Sequence, residues 1–107
     1  MQRGEVFRLR APRSVRGHEQ AGLRYGVVIQ ADELLALCTV IVAPTSSRAL
    51  PSSFRPEVAI DGARTRVLVE QIGAVDPSRL GESRGLLRRD ELDDIDRALS
   101  IVLGLSR

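Results

Sequence analysis

The chain has 107 residues, of which 43% are hydrophobic and 28% are charged, so it suits one globular domain and excludes disordered and fibrous proteins. Its net charge is only +2, yet all 16 basic residues are arginine and six of them lie within residues 1–30. A single cysteine excludes an internal disulfide, and no apolar run approaches the ~20 residues that span a bilayer. The first residues also lack the apolar stretch of a signal peptide. We therefore expect one cytoplasmic domain over residues 1–107 with no membrane segment.

Short runs of branched and apolar residues predict a series of β-strands. They cover residues 4–10, 26–30, 38–43, 58–60, 65–72 and 84–88. Residues 12–24 form a long first loop and residues 45–56 a second one, with Pro44 ending the strand before it. Asp61-Gly62 predicts a tight hairpin turn, because both residues accept positive φ. Cys38 falls on a strand, so we expect it to be buried.

Residues 90–103 are the clearest helix in the sequence. Apolar residues recur there at three- and four-residue spacing, at Leu92, Ile95, Leu99, Val102 and Leu103. Gly104 suits a C-terminal cap. A lone amphipathic helix must lay its apolar stripe on a sheet, so the pattern predicts a strand-dominated α+β domain with a small curled barrel.

Metal and nucleotide sites have no support in the sequence. There is one histidine, His18, and one cysteine, and neither a zinc-binding spacing nor a glycine-rich phosphate loop occurs. We therefore expect no metal and no cofactor.

The first loop carries the residues best suited to chemistry. Residues 17–24 hold Glu19 and Arg24 between strands, with glycines at positions 17 and 22. A carboxylate that takes a proton and a guanidinium that holds an anion suit reactions of a phosphodiester. The alternative is an ordinary surface ion pair, and on the residues alone this is the simpler interpretation.

Several blocks in order along the whole chain resemble the MazF/PemK family of toxin endoribonucleases. These blocks are residues 3–7, 17–24, 39–44, 69–72, 75–81, 95–99 and 102–105. The strongest is Gly-His-Glu-Gln-Ala-Gly-Leu-Arg at residues 17–24. The resemblance implies a small SH3-like antiparallel β-barrel closed by a C-terminal helix, a homodimer, and metal-independent cleavage of single-stranded RNA. It also implies a cognate antitoxin whose C-terminal segment covers the active surface.

The resemblance further implies roles for individual residues. The family's catalytic arginine falls on Arg24, its loop glutamate on Glu19, and its threonine on Ser46, beside Thr45. Arg24 and a hydroxyl would stabilise the phosphorane, and Glu19 is the candidate base, because a guanidinium gives up its proton reluctantly. The family does not assign the base uniformly, and a role of Arg24 as the acid is the alternative. The candidate substrate-binding residues are His18, Gln20, Tyr25, Arg13, Arg16, Arg48 and Gln71.

Departures from the family pattern leave two alternatives open. Tyr25 stands in place of a proline, where its ring either stacks on a base or fills the core, and Gly73 stands in place of a basic residue. Arg88 and Arg89 replace the usual helix start and predict a weaker cap. One alternative is a non-catalytic toxin of the same superfamily that binds a protein such as DNA gyrase. The other is a decayed member that retains only antitoxin binding. We also expect a homodimer that does not depend on Cys38.

Overall fold

Seven short strands, three 3-10 turns and one helix make up the computed structural model, which describes residues 1–10 and 24–105. The strands are β1 (Glu5–Leu9), β2 (Tyr25–Val28), β3 (Val40–Ser46), β4 (Glu57–Ile60), β5 (Ala63–Val67), β6 (Gly73–Val75) and β7 (Leu80–Leu86). The helix is α1 (Arg89–Val102), and the 3-10 turns are Asp32–Leu34, Val69–Gln71 and Pro77–Arg79.

The strands pair in the order β4-β5-β3-β2-β1-β7, with β6 beside β3, and every pairing is antiparallel. β3 joins the two parts of this sheet. Its first half pairs with β2 and β6, and Thr45 and Ser46 at its end pair with β5. The sheet therefore curls into a half-barrel with one C-terminal helix, which confirms the predicted strand-dominated α+β fold.

Alternation along β2 and β3 sends side chains to two apolar layers. Val27 and Ala43 belong to the main core, which also contains Ile95 of α1. Val28 and Val42, each one position along, belong to a smaller cluster on the opposite face. Both faces of the central strands are covered, which is why these strands read as nearly continuous apolar runs in the sequence.

Helix α1 packs its apolar stripe on the main core, as predicted. Ile95 and Ala98 are fully buried, and Leu92, Leu99 and Val102 pack around them. The predicted stripe is wrong at one end, because Leu103 follows the helix and is 53% exposed. Gly104 has a φ of +69° and its N–H donates to the Ile101 carbonyl at 3.2 Å, so the predicted C-terminal cap is confirmed.

Several strand boundaries differ from the prediction, and the strand predicted over 84–88 is β7, which begins at Leu80 and ends at Leu86. β3 continues through Pro44 to Ser46; Pro44 has no N–H to donate, but its carbonyl accepts from the Leu68 N–H at 2.8 Å. The strand predicted over 65–72 ends at Val67 and is followed by a 3-10 turn. β6 was not predicted at all, because Gly73-Ala74-Val75 is too short to show a pattern.

The prediction that Cys38 lies buried on a strand is wrong. The residue is exposed and precedes β3, which begins at Val40. Hydrogen bonds from the Gln30 side chain to the backbone accompany the later start of β3. The Gln30 side chain accepts from the Ile41 N–H at 2.9 Å and donates to the Leu34 carbonyl at 2.5 Å. These bonds bring the chain back to the sheet only after residue 38.

The predicted hairpin between β4 and β5 is confirmed. Asp61 and Gly62 have φ values of +54° and +79°, the left-handed conformation that such a turn requires. Among the described residues, no helix is both long and apolar enough to cross a bilayer.

Candidate active site

Arg24 lies directly before β2, which begins at Tyr25. Its carbonyl accepts from the Leu9 N–H at 3.0 Å, so its backbone continues the pairing of β2 with β1. Gly26 and Val28 follow at alternate positions, and both face the smaller apolar cluster beside Val42. Arg24 therefore falls on this face of the sheet in register.

Ser46 occupies the matching position at the end of β3. The pairing of β2 with β3 ends at Gly26 and Pro44, and Ser46 pairs with Arg66 of β5; extending the β2–β3 register by two residues would set Ser46 opposite Arg24. The Ser46 side chain is half-buried, and its Oγ accepts from the Arg48 N–H at 3.3 Å. Because this bond uses only an oxygen lone pair, the hydroxyl proton stays available for donation.

Thr45 has the opposite orientation. It is only 2% exposed, in line with Ala43 of the main core, and its Oγ1 accepts from the Tyr25 N–H at 3.3 Å. This side-chain bond marks the place where β3 leaves β2 and turns to pair with β5. The two neighbouring hydroxyls thus sit in different environments, one in the core and one at the surface.

Tyr25 packs against the main core and reaches the β4–β5 turn. Its hydroxyl donates to Asp61 Oδ2 at 3.3 Å, and Arg84 Nε of β7 donates to the same oxygen at 2.8 Å. The bond from Arg84 is the chief reason that the pKa of Asp61 is lowered from its usual 3.8, and the Tyr25 hydroxyl and the charge of Arg8 act in the same direction. Arg8 is the cross-strand partner of Tyr25 on β1.

The segment after Ser46 is attached to the 3-10 turn Val69–Gln71 by an ion pair. Arg55 donates to Glu70 Oε2 through Nε at 3.0 Å and Nη2 at 2.7 Å, and its Nη1 donates to the Leu50 carbonyl at 3.4 Å. The Arg55 guanidinium also lies 5.5 Å from the centre of the Phe54 ring. These contacts restrain residues 50–55, between β3 and β4.

The Arg55–Glu70 pair predicts loss of stability in acid. The hydrogen bonds from Arg55 lower the pKa of Glu70 from 4.5, so this contribution is fully present above pH 4.5 and is lost as the pH falls through the lowered pKa. Glu70→Gln should therefore lower Tm at pH 7, and its deficit against the native protein should shrink towards pH 3. Circular dichroism melts measure both. Glu57→Gln, in an exposed pair with Arg64, is the matched control and should change Tm little at pH 7. A Glu70→Gln deficit that persists in acid would contradict the assignment.

The remaining predicted site residues fall into two groups. Arg48 and Gln71 are exposed; Arg48 contacts Ser46 through its backbone, and Gln71 follows Glu70 in its 3-10 turn. The others lie outside the described residues: Arg13, Arg16, His18, Glu19 and Gln20. Within residues 1–10 and 24–105, no three His, Cys, Asp or Glu side chains come together as a possible metal site.

Sequence reasoning missed the partners of Tyr25. Asp61 was recognised only as a turn residue, and Arg84 only as part of a strand, although the two meet over a separation of 23 residues. It also missed Arg66, which pairs with Ser46 across β3 and β5 and donates to the Arg55 carbonyl at 2.9 Å. No local pattern could reveal these contacts, because strand pairing across the curled sheet creates them.

Comparison with known proteins identifies the family. Residues 2–103 match the family described as the PemK-like, MazF-like toxin of type II toxin-antitoxin systems. The chain belongs to the PemK/MazF toxin family. A Mycobacterium tuberculosis protein named "Putative toxin Rv3098A/RVBD_3098A" is 39% identical to it over 104 residues, which covers 96% of this chain and 97% of the relative.

Solved structures share the PemK/MazF fold over the full length of the chain. An endoribonuclease from a mycobacterial species, solved in complex with its cognate antitoxin, superposes with a TM-score of 0.80 at 16% identity and covers 100% of this chain and 98% of its own. MazF in the MazE-MazF complex of Deinococcus radiodurans gives 0.78 at 25% identity, with 99% and 97% coverage. The resemblance and the fold expected from the sequence are thus confirmed.

Proposed function

We propose that this PemK/MazF family member is a toxin endoribonuclease that cleaves single-stranded RNA by attack of the ribose 2′-OH, without a metal ion. The family membership and the endoribonuclease neighbours support this proposal. The observation that carries it is the Gly26–Pro44 pairing of β2 with β3, because extending this register by two residues puts Arg24 and Ser46 opposite each other on one face.

This placement suits the recognition of a phosphate. Side chains directly opposite on antiparallel strands have Cβ atoms about 5 Å apart. β2 and β3 begin to separate here, because Thr45 bonds the Tyr25 N–H with its side chain and then pairs with β5. The separation leaves room for a phosphate between a guanidinium fork and a hydroxyl donor.

In the proposed reaction, the 2′-oxygen attacks the adjacent phosphorus and the bond to the 5′-oxygen breaks. The 2′-OH proton goes to Glu19, whose carboxylate is the candidate base, and a proton from water or from the protonated Glu19 neutralises the leaving 5′-oxygen. Arg24 donates two hydrogen bonds to the phosphorane oxygens, and Ser46 donates a third. The products are a 2′,3′-cyclic phosphate and a 5′-OH end.

Cleavage in a chelator tests the proposal. Purified protein should cut a long single-stranded RNA in excess EDTA, and the products should be substrates for a kinase that phosphorylates free 5′-OH ends. Intact RNA would contradict the proposal and favour the non-catalytic binder or the decayed member. Cleavage that requires added Mg²⁺ would contradict the metal-free mechanism alone.

The two hydroxyls at the end of β3 should respond differently to substitution. Ser46→Ala removes one donor assigned to the phosphorane, so we expect kcat to fall about 10²-fold with little change in Tm. Thr45→Val removes a buried hydroxyl that accepts from Tyr25, so it should lower Tm, with an effect of about 1 to 2 kcal/mol on the free energy of unfolding. Initial rates on a fluorogenic RNA and thermal melts measure both effects. A larger kcat loss from Thr45→Val than from Ser46→Ala would reverse the assignment.

The proposed function includes a cognate antitoxin and a homodimer. A neighbouring endoribonuclease was solved in complex with its cognate antitoxin, which supports an antitoxin partner for this chain. We propose that the C-terminal segment of such an antitoxin covers the Arg24 surface. The expectation that Cys38 takes no part in the dimer depended on its being buried, but the thiol is exposed and could form a disulfide between two copies. Sizing with and without reductant, on native protein and on Cys38→Ser, distinguishes a non-covalent dimer from a disulfide-linked one.

A further inference from the structure

Tyr25 is fixed at both ends of the residue, directly beside Arg24. Its backbone N–H is bonded to Thr45 Oγ1 at 3.3 Å, and its hydroxyl is bonded to Asp61 Oδ2 at 3.3 Å. Its ring packs against the main core between these two points. Three separate contacts therefore hold the first residue of β2.

Asp61 is itself held in place by Arg84. It lies in the β4–β5 turn, and Arg84 of β7 donates to the oxygen that also accepts from Tyr25. Arg84 in turn contacts Glu82 Oε1 through Nη1 at 2.8 Å. The turn, β2 and β7 thus meet at one carboxylate, although β4 and β7 lie at opposite ends of the strand order.

The side chain of Arg24 falls on the other face of the sheet from this contact. Successive residues of a strand alternate between faces, so Tyr25 is anchored on the core side while Arg24 falls on the Ser46 side. Arg24 also lies outside the strand itself, since β2 begins at Tyr25. A strand end held on only one side would let the Arg24 guanidinium move relative to Ser46, and a displacement of about 1 Å in a catalytic group costs up to 10²-fold in rate.

We propose that Tyr25 is a positioning residue for Arg24, and that its hydroxyl, held by Asp61 and Arg84, keeps the Arg24 guanidinium in line with Ser46. This inference rests on the proposed endoribonuclease function. In this proposal Tyr25 acts on Arg24 and not by contact with the RNA, because its hydroxyl is hydrogen-bonded to Asp61 and its ring packs against the main core.

Tyr25→Phe is the first test, because it removes the hydroxyl and keeps the ring. We expect kcat for RNA cleavage to fall about 5- to 20-fold, while KM and the affinity for an RNA with a 2′-deoxy nucleotide at the cleavage site stay within twofold. Asp61→Gly removes the acceptor and keeps the positive φ of the turn, so it should give a loss of similar size. If both act through one bond, the double variant should be no slower than the worse single variant.

The control keeps the hairpin and removes a different charge pair. Glu57→Gln breaks the exposed Glu57–Arg64 pair of the same β4–β5 hairpin, and its kcat should equal that of the native protein. Multiplicative losses from Tyr25→Phe and Asp61→Gly would show that the two side chains do not act through one shared bond and would overturn that part of the proposal. Native kcat in Tyr25→Phe, or a rise in KM without a fall in kcat, would overturn the positioning role, and the latter would favour direct RNA contact.

A second measurement does not depend on cleavage. The ¹⁵Nε–Hε signal of Arg24, assigned by its loss in Arg24→Ala, should shift or broaden in Tyr25→Phe and stay unchanged in Glu57→Gln. If the native protein leaves RNA intact but the Arg24 signal responds to Tyr25→Phe, the proposed function is refuted and the effect of Tyr25 on Arg24 stands. An unresponsive Arg24 signal in a cleaving enzyme would refute the positioning role alone.

Discussion

Arg24→Ala should lower kcat for RNA cleavage about 10²- to 10³-fold, the loss that follows removal of one preorganised donor to a developing oxyanion. The native guanidinium offers parallel donors to two phosphorane oxygens, and these bonds strengthen as negative charge accumulates on them. The effect should therefore appear in kcat more than in KM. Thermal melts should show a native Tm, because the backbone bond from Leu9 to the Arg24 carbonyl does not depend on the side chain.

Arg24→Lys separates geometry from charge at position 24, and Arg48→Ala tests a second cation near Ser46. Arg24→Lys keeps a positive charge and loses the planar fork, so its kcat should lie between those of the native protein and Arg24→Ala. Arg48→Ala removes an exposed cation close to Ser46, and we expect it to raise KM in a salt-dependent manner with kcat nearly unchanged. An Arg24→Ala enzyme within threefold of the native kcat would contradict the assigned role.

Much of the fold follows from the sequence because the patterns are local. The helical stripe around Ile95 and the turn at Asp61-Gly62 depend on residues close together in the chain. The boundaries that were missed depend on distant partners. Pro44 continues a strand because Leu68 supplies a donor to its carbonyl, and Cys38 lies outside the sheet because Gln30 takes the Ile41 N–H.

The candidate site was likewise predicted only in part from the sequence. The resemblance points to Arg24, Ser46 and Thr45, and it cannot distinguish the two adjacent hydroxyls. They differ because alternation along β3 sends Thr45 into the core and Ser46 to the opposite face of the sheet. The contact of Tyr25 with Asp61 was beyond reach for another reason, since it joins residues 36 apart through the curl of the sheet.

Glu91→Ala should lower the free energy of unfolding by about 2 to 3 kcal/mol, the largest stability effect expected from a single polar side chain here. Arg88 and Arg89 predict a weak helix start, but the structure supplies a different cap. Glu91 is 5% exposed, and its Oε1 accepts from the Arg88 N–H at 2.9 Å at the start of α1. Its Oε2 accepts from the Ala59 N–H at 2.9 Å.

The bond to Ala59 gives the carboxylate a second role. β4 ends the strand order, and an unpaired N–H on such a strand is both costly to bury and open to pairing with another chain. Glu91 satisfies this donor and ties α1 to the sheet. Removal of the carboxylate therefore leaves two backbone donors without their acceptor.

Glu91→Gln and Asp93→Ala make the prediction specific. Glutamine retains one acceptor oxygen for two donors, so its loss should be about half that of alanine. Asp93 lies on the same helix in an exposed contact with Arg89 at 3.6 Å, so Asp93→Ala should cost less than about 0.5 kcal/mol. Urea unfolding monitored by circular dichroism gives the three values. Equal losses for Glu91→Ala and Glu91→Gln would mean that the negative charge, and not the pair of acceptors, stabilises the junction between helix and edge strand.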